Sequence, residues 1–131
     1  MSQKLLVIDD SRTVRTVVEW VFHGSPYKVV GAPTASEGLR LARSERPVAI
    51  LVDYALPDQG GYELCAELRR DPALRNTPVV MLGGTWAAFD ERRAAAVGAD
   101  DTLIKPFKTD ALLEKVASAI SRAANRPVQL T

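Results

Sequence analysis

One cysteine and one histidine among 131 residues leave several kinds of chemistry without their reagents. Cys65 has no second cysteine to pair with, so an internal disulfide is excluded, and a lone thiol fits a reducing, cytoplasmic setting. It stands near Leu64 and Leu68 and reads as a small core residue. His23 has no other histidine or cysteine pair beside it, which argues against a zinc site. It reads instead as a helix-end residue favoured by the dipole. Charge of one sign is also missing. The net charge is +1, so nothing in the balance favours nucleic acid or an anionic membrane. No apolar run approaches the roughly 20 residues of a spanning helix. Met1-Ser2-Gln3-Lys4 runs straight into a strand-like stretch, without the long apolar region of a signal peptide. There is no internal repeat and no low-complexity tract, and no appended DNA-binding motif is expected.

What is present is an ordinary soluble composition, 47% hydrophobic and 25% charged, sized for one domain with a single core. The expected domain covers residues 1–124, with 125–131 a tail or the start of a linker. The run Val48-Ala49-Ile50-Leu51-Val52 is apolar on both faces, as in a strand buried inside a parallel sheet. Asp53 follows it, at the edge where open α/β sheets bind ligands.

Four more strands are expected at residues 4–8, 27–32, 79–82 and 102–104. Helices alternate with them. The first carries a stripe of Val14, Val17, Val18, Val21 and Phe22, with Asp10 or Ser11 as cap and Arg12, Arg15 and Glu19 towards water. Thr34-Ala35-Ser36-Glu37 has capping-box spacing for the second. The third covers 62–70, and the fourth 90–97, closed by Gly98. Thr109 is expected to cap the fifth, with Leu112, Leu113, Val116 and Ile120 inward. Five strands alternating with five helices, joined by right-handed crossovers, predict a three-layer α/β/α sandwich.

Parallel strands all point one way, so the residues that follow them gather at one edge. These are Asp9 and Asp10, Asp53, Gly83 and Gly84, and Lys105. Three carboxylates together repel unless a cation intervenes. A hard cation with oxygen ligands relieves this, and Mg²⁺ fits best because it keeps positions open for phosphate oxygens. Lys105 adds a mobile positive charge for those oxygens, and the two glycines leave space and expose N–H groups. A carboxylate, a metal and a lysine suit phosphoryl transfer onto the carboxylate itself.

Asp9-Asp10, Asp53, Pro57, Gly61 and Lys105-Pro106-Phe107 together resemble the signature of bacterial response-regulator receiver domains, over about residues 4–120. The resemblance implies a sheet of order 2-1-3-4-5. It implies a signalling module rather than an enzyme, though one able to catalyse its own phosphotransfer and dephosphorylation. Asp53 is the implied phospho-acceptor, supplied by a histidine kinase or a histidine phosphotransfer protein. Asp10, Asp53 and the carbonyl of Ala55 are the implied Mg²⁺ ligands. Asp9 acts through a metal-bound water or by orienting Lys105. Lys105, Ala55 and Gly84 contact the phosphoryl group, and a cis bond to Pro106 is expected. Two positions depart from the family. Gly83 stands where a Thr or Ser hydroxyl is usual, with Thr85 as a displaced substitute, and Thr102 stands where a Tyr or Phe is usual. Trp86 and Phe89, flanked by Arg92 and Arg93, read either as local packing or as a docking surface for an unidentified downstream protein. The expected state is a monomer or weak dimer.

Two other readings compete. A phosphate-independent interaction module is favoured by Gly83 and Thr102 and opposed by Asp9, Asp10, Asp53 and Lys105. A haloacid-dehalogenase-like hydrolase would need Asp-x-Asp after the first strand, and Asp9-Asp10 lacks that spacing.

Overall fold

The structure, a computed structural model, describes residues 3–84 and 89–125. The strands are β1 (Gln3–Ile8), β2 (Tyr27–Ala32), β3 (Ala49–Asp53), β4 (Val79–Gly84) and β5 (Asp101–Lys105). The helices are α1 (Arg12–Val21), α2 (Ala35–Glu45), α3 (Gly61–Arg70), α4 (Glu91–Ala96) and α5 (Thr109–Ala124). All the strands run parallel, in the order β2-β1-β3-β4-β5.

The central strands are apolar on both faces because each face has its own core. Leu6, Ile8, Ile50, Val52, Val79 and Met81 pack against α2, α3 and α4. Leu5, Val7, Ala49, Leu51, Val80, Leu82 and Leu103 pack against α1 and α5. Three helices therefore cover one face and two the other. This is the expected sandwich, and alternation along each strand sorts residues between the two cores. Cys65 lies in the first core, its Sγ 3.5 Å from the carbonyl of Val97, and burial pushes the thiol up to about 11.

Local corrections have local causes. Gly83 and Gly84 do not follow β4; they are its last residues, in register with Ile104 and Lys105. Ser11 caps α1, its Oγ accepting from the N–H of Val14. Val17 is exposed, because α1 turns Val14, Val18, Val21 and Phe22 inward. Arg15 does not point to water. Its guanidinium donates to the carbonyl of Asp9 at 2.7 Å. At α2 only half of the capping box forms: Thr34 accepts from Glu37 N–H, while the Glu37 carboxylate pairs with Arg40. The amides left over at that terminus, of Ala35 and Ser36, donate to the carboxylate of Asp58, which nothing in the local sequence of α2 announces. Thr109 is the first residue of α5 rather than its cap; Lys108 holds the cap position and makes no side-chain capping bond. Leu113 is exposed, and Ala119 takes its expected place in the core with Leu112 and Val116. Trp20, 74% exposed on α1, escaped the sequence reading because its neighbours set the inward stripe.

Candidate functional site at the carboxyl edge

Strand alternation delivers the key side chains. The ladder runs one residue past β1, since the N–H of Asp9 donates to Ala32. Asp9, Asp53 and Lys105 then continue the parity of Leu5–Val7, Ala49–Leu51 and Leu103. They meet at the carboxyl edge. Lys105 Nζ lies 2.9 Å from Asp9 Oδ2 and 3.4 Å from Asp53 Oδ1. Asp9 is fully buried and Asp53 nearly so, whereas Asp10 is exposed. One oxygen from each of the three carboxylates lies within 4.8 Å of the others.

Asp9 and Asp53 are held by their surroundings. Asp9 Oδ1 accepts from the N–H of Ser11 at 2.9 Å, so the residue that caps α1 also orients the aspartate. The N–H of Ala55 favours the charged form of the Asp53 carboxylate. Ala55 itself is exposed and bridges to Gly60. Gly61 must be glycine. A Cβ there would lie 2.2 Å from the carbonyl oxygen of Asp53, and its N–H donates to the carbonyl of Tyr54. The first residue of α3 is thus pressed against the main chain that carries Asp53.

Burial raises the pKa of Asp53, and the charge of Asp9 adds to that, against the pull of Lys105 and of Ala55 N–H. Burial works against the charged form of Lys105, but its bonds and charge contacts with Asp9 and Asp53 outweigh it, and its pKa is raised. One ammonium faces three carboxylates. The donor set is all oxygen, crowded and short of positive charge, which fits a hard divalent cation bound beside exposed Asp10. The Lys105–Pro106 bond is cis, as expected.

The departures lie on the other face. Gly83 continues Val79 and Met81, and Thr102 is in register with Met81. A Cβ on Gly83 would lie 2.2 Å from Cδ2 of Phe89. Phe89 is half-buried and packs with Tyr54 and Tyr62, at centroid distances of 5.4 and 6.2 Å. Arg93 lies over the ring of Tyr62, while Arg92 is exposed. Thr85 and Trp86 lie outside the described residues. Tyr54 and Tyr62 were missed from sequence; the signal was Gly83, a missing side chain facing a core that something must fill.

The family described as "Response regulator receiver domain" matches residues 5–117. The chain belongs to that family. PilG of Pseudomonas aeruginosa is 32% identical over 117 residues, 89% of this chain and 87% of PilG. PhoP of Bacillus subtilis, an alkaline phosphatase synthesis transcriptional regulatory protein, is 32% identical over 123 residues, 94% of this chain and 50% of PhoP. The chain spans about half the length of the transcriptional regulators it matches. Among solved structures, the receiver domain of the Pseudomonas aeruginosa sensor histidine kinase PA1611 superimposes with a TM-score of 0.82. It is 28% identical, covers 92% of this chain and 99% of its own, and has a magnesium ion coordinated in its active site cleft. Receiver domains serve two-component signalling and are not in general enzymes, which sets aside the hydrolase reading. Among the described residues no helix is long and apolar enough to cross a membrane.

Proposed function

We propose that this receiver accepts a phosphoryl group on Asp53 from the phosphohistidine of a histidine kinase or histidine phosphotransfer protein. The supporting observation is the meeting of Asp53 with Asp9, Asp10 and Lys105 at one edge. In the transfer an Asp53 oxygen forms the new P–O bond as the P–N bond of the donor breaks. Lys105 pairs with the oxygens of the transferring group, and Asp9 holds Lys105 in reach. The N–H groups of Ala55 and Gly84 donate to the same oxygens. Asp10, Asp53 and the carbonyl of Ala55 would hold Mg²⁺, with Asp9 acting through a bound water. The ion neutralises charge on the phosphoryl oxygens when bound. The magnesium in the PA1611 receiver supports this assignment. The phosphorylated domain acts through protein–protein contacts in the cytoplasm.

The test is intact mass after incubation with acetyl phosphate and Mg²⁺. One phosphoryl group should add to the natural chain and none to Asp53→Ala. Labelling that survives Asp53→Ala, or that ignores excess chelator, would overturn the assignment. A second reading, an interaction module indifferent to phosphate, is favoured by the ring of Phe89 occupying the side-chain space of Gly83. It requires that partner binding be the same with and without the label.

A further inference from the structure

Gly83 and Phe89 form a pair in which one residue supplies a gap and the other fills it. Without a Cβ at residue 83, the ring of Phe89 rests directly on the β4 main chain. Three of its carbons would sit 2.2 to 2.6 Å from any Cβ placed there. That stretch of main chain adjoins the acceptor. Asp53 is in register with Leu82, and the N–H of Tyr54 donates to the carbonyl of Leu82 at 3.0 Å. Tyr54, the residue after Asp53, touches the same ring. Phe89 therefore meets the acceptor from two sides, through the β4 backbone below it and through Tyr54 beside it.

The other end of the cluster holds α4. Phe89 immediately precedes Asp90, whose carboxylate caps α4 by accepting from Arg92 and Arg93 N–H. The N–H of Asp90 donates to Tyr62 Oη at 2.8 Å. Arg93 stacks on Tyr62 at 4.2 Å and pairs with Glu63 at 2.8 Å. By contrast the β5–α5 side is tied down. Lys115 donates to the carbonyl of Thr102 at 2.6 Å and pairs with Asp101, which also meets Arg122. Thr102 offers no ring that could change place.

We infer that Phe89 carries the state of Asp53 to the start of α4, so that phosphorylation alters the Tyr62–Glu63 and Asp90–Arg93 surface and leaves β5–α5 as it is. The inference rests on the proposed acceptor role of Asp53. A phosphoryl group on Asp53 takes N–H donors from the end of β4, and a main-chain shift there moves the ring that lies on it. Gly83 has no Cβ to stand between that main chain and the ring. The ring repacks on Tyr54 and Tyr62, and Asp90 with Arg93 follows. A ligand moves such an equilibrium only through unequal interaction with its two states, and here the inequality is the main-chain position under the ring.

The experiment follows phosphorylation and ring movement separately. Fluorophenylalanine labels Phe22, Phe89 and Phe107, and ¹⁹F and amide NMR are recorded with Mg²⁺ and acetyl phosphate or beryllofluoride, while intact mass reports the acyl phosphate. The Phe89 resonance is expected to shift and the Phe22 resonance to stay. Amides of 62–63 and 90–94 should move more than those of 101–104 and 115. Phe89→Leu, which keeps the packing, and Phe89→Ala should each more than halve the shifts at 90–94 with labelling of Asp53 retained. If Asp53 is labelled and Phe89 stays still, or if Phe89→Leu transmits as well as the natural chain, the inference is wrong and the acceptor assignment stands. If Asp53 is not labelled, both fall. Gly83→Ala adds an independent arm. It must displace the ring, so it is expected to shift the 90–94 amides without any phosphate, and the double change with Phe89→Ala should cancel most of that shift. A Gly83→Ala chain whose α4 amides match the natural ones also overturns the inference.

Discussion

Lys105 is held closer to Asp9 than to Asp53, at 2.9 against 3.4 Å. The shorter contact is to the aspartate with no exposure at all. Asp9 is therefore the partner that stays desolvated if the ammonium goes. Lys105→Met is expected to destabilise the metal-free protein by roughly 3–5 kcal/mol, the usual consequence of leaving one buried charge without its partner. Urea titration in chelator measures this. The same titration with Mg²⁺ should return part of the loss, because a bound cation supplies the missing charge and stabilises by mass action. An equal loss with and without Mg²⁺ would mean that the ion does not reach Asp9.

Asp53 carries the opposite sign of linkage from most carboxylates. Its folded pKa is raised, by burial first and by Asp9 second, so the folded state binds the proton more tightly than the unfolded chain. Between the unfolded carboxylate value and the raised folded value, stability then falls as pH rises. Above the folded value the cost of the ionised form is present in full. Asp53→Asn removes that cost. In chelator it should stabilise the protein at neutral pH by on the order of 1 kcal/mol, with the gain shrinking as the pH falls from the raised folded value to the unfolded one and gone below it. A gain that is flat with pH would refute this, as would a loss at neutral pH.

The meeting of Asp9, Asp53 and Lys105 was legible because it needs only the strand assignments and the common direction of a parallel sheet. Each of the three sits at the end of an apolar run, and alternation places them on one side. The contacts that fix their geometry were less legible because they join distant segments. Asp58 caps a helix more than twenty residues earlier, and Arg15 crosses from α1 to the carbonyl of Asp9. The exposure of Val17 and Leu113 shows the limit of periodicity. An apolar stripe wider than the contact surface leaves its margin in water, and only the neighbouring elements decide which margin. Gly83 was noticed as a missing hydroxyl, but its occupant, Phe89, comes from beyond the strand.

Arg69 is the polar hub that joins α3 to the turn before β5. Its guanidinium donates to the carbonyls of Gly98, Arg75 and Thr77 and to Asp100 Oδ2, which also accepts from the N–H of Val79. A planar fork with several donors makes these bonds together, and an ammonium cannot. Arg69→Lys is expected to cost about 2–4 kcal/mol through carbonyls left short of donors. Thermal unfolding of Arg69→Lys, Asp100→Asn and the double change should show losses well below additive, as for groups in one network. Additive losses would separate the two residues energetically.

Arg46 ends α2 in the left-handed region, at φ 49° and ψ 62°, where a side chain crowds its own carbonyl. Its N–H still donates to the carbonyl of Ala42. Arg46→Gly keeps that bond and removes the crowding. It should stabilise the fold by about 1 kcal/mol, less the extra freedom glycine gains when unfolded. A lower melting temperature for Arg46→Gly would show that the arginine side chain contributes more than its backbone costs.

Asp10 and Lys105 should affect a divalent cation in opposite directions. Asp10 is the exposed member of the three carboxylates and can take up an ion without surrendering an internal bond. Asp9, by contrast, is committed to Ser11 N–H and to Lys105. Asp10→Asn is therefore expected to weaken Mg²⁺ binding by at least about tenfold, the lower end of what even an indirect change at a metal site costs. Lys105→Ala removes a positive charge from the same space and should leave Mg²⁺ affinity equal or higher, since an ion then meets three carboxylates with no competing ammonium. Labelling of Asp53 should nevertheless slow in both variants: in the first for want of the ion, in the second because no ammonium pairs with the phosphoryl oxygens. Calorimetric Mg²⁺ titration with the labelling rate by mass separates the two effects. If Lys105→Ala weakens Mg²⁺ as much as Asp10→Asn does, Lys105 supports the ion's ligands rather than the phosphoryl group.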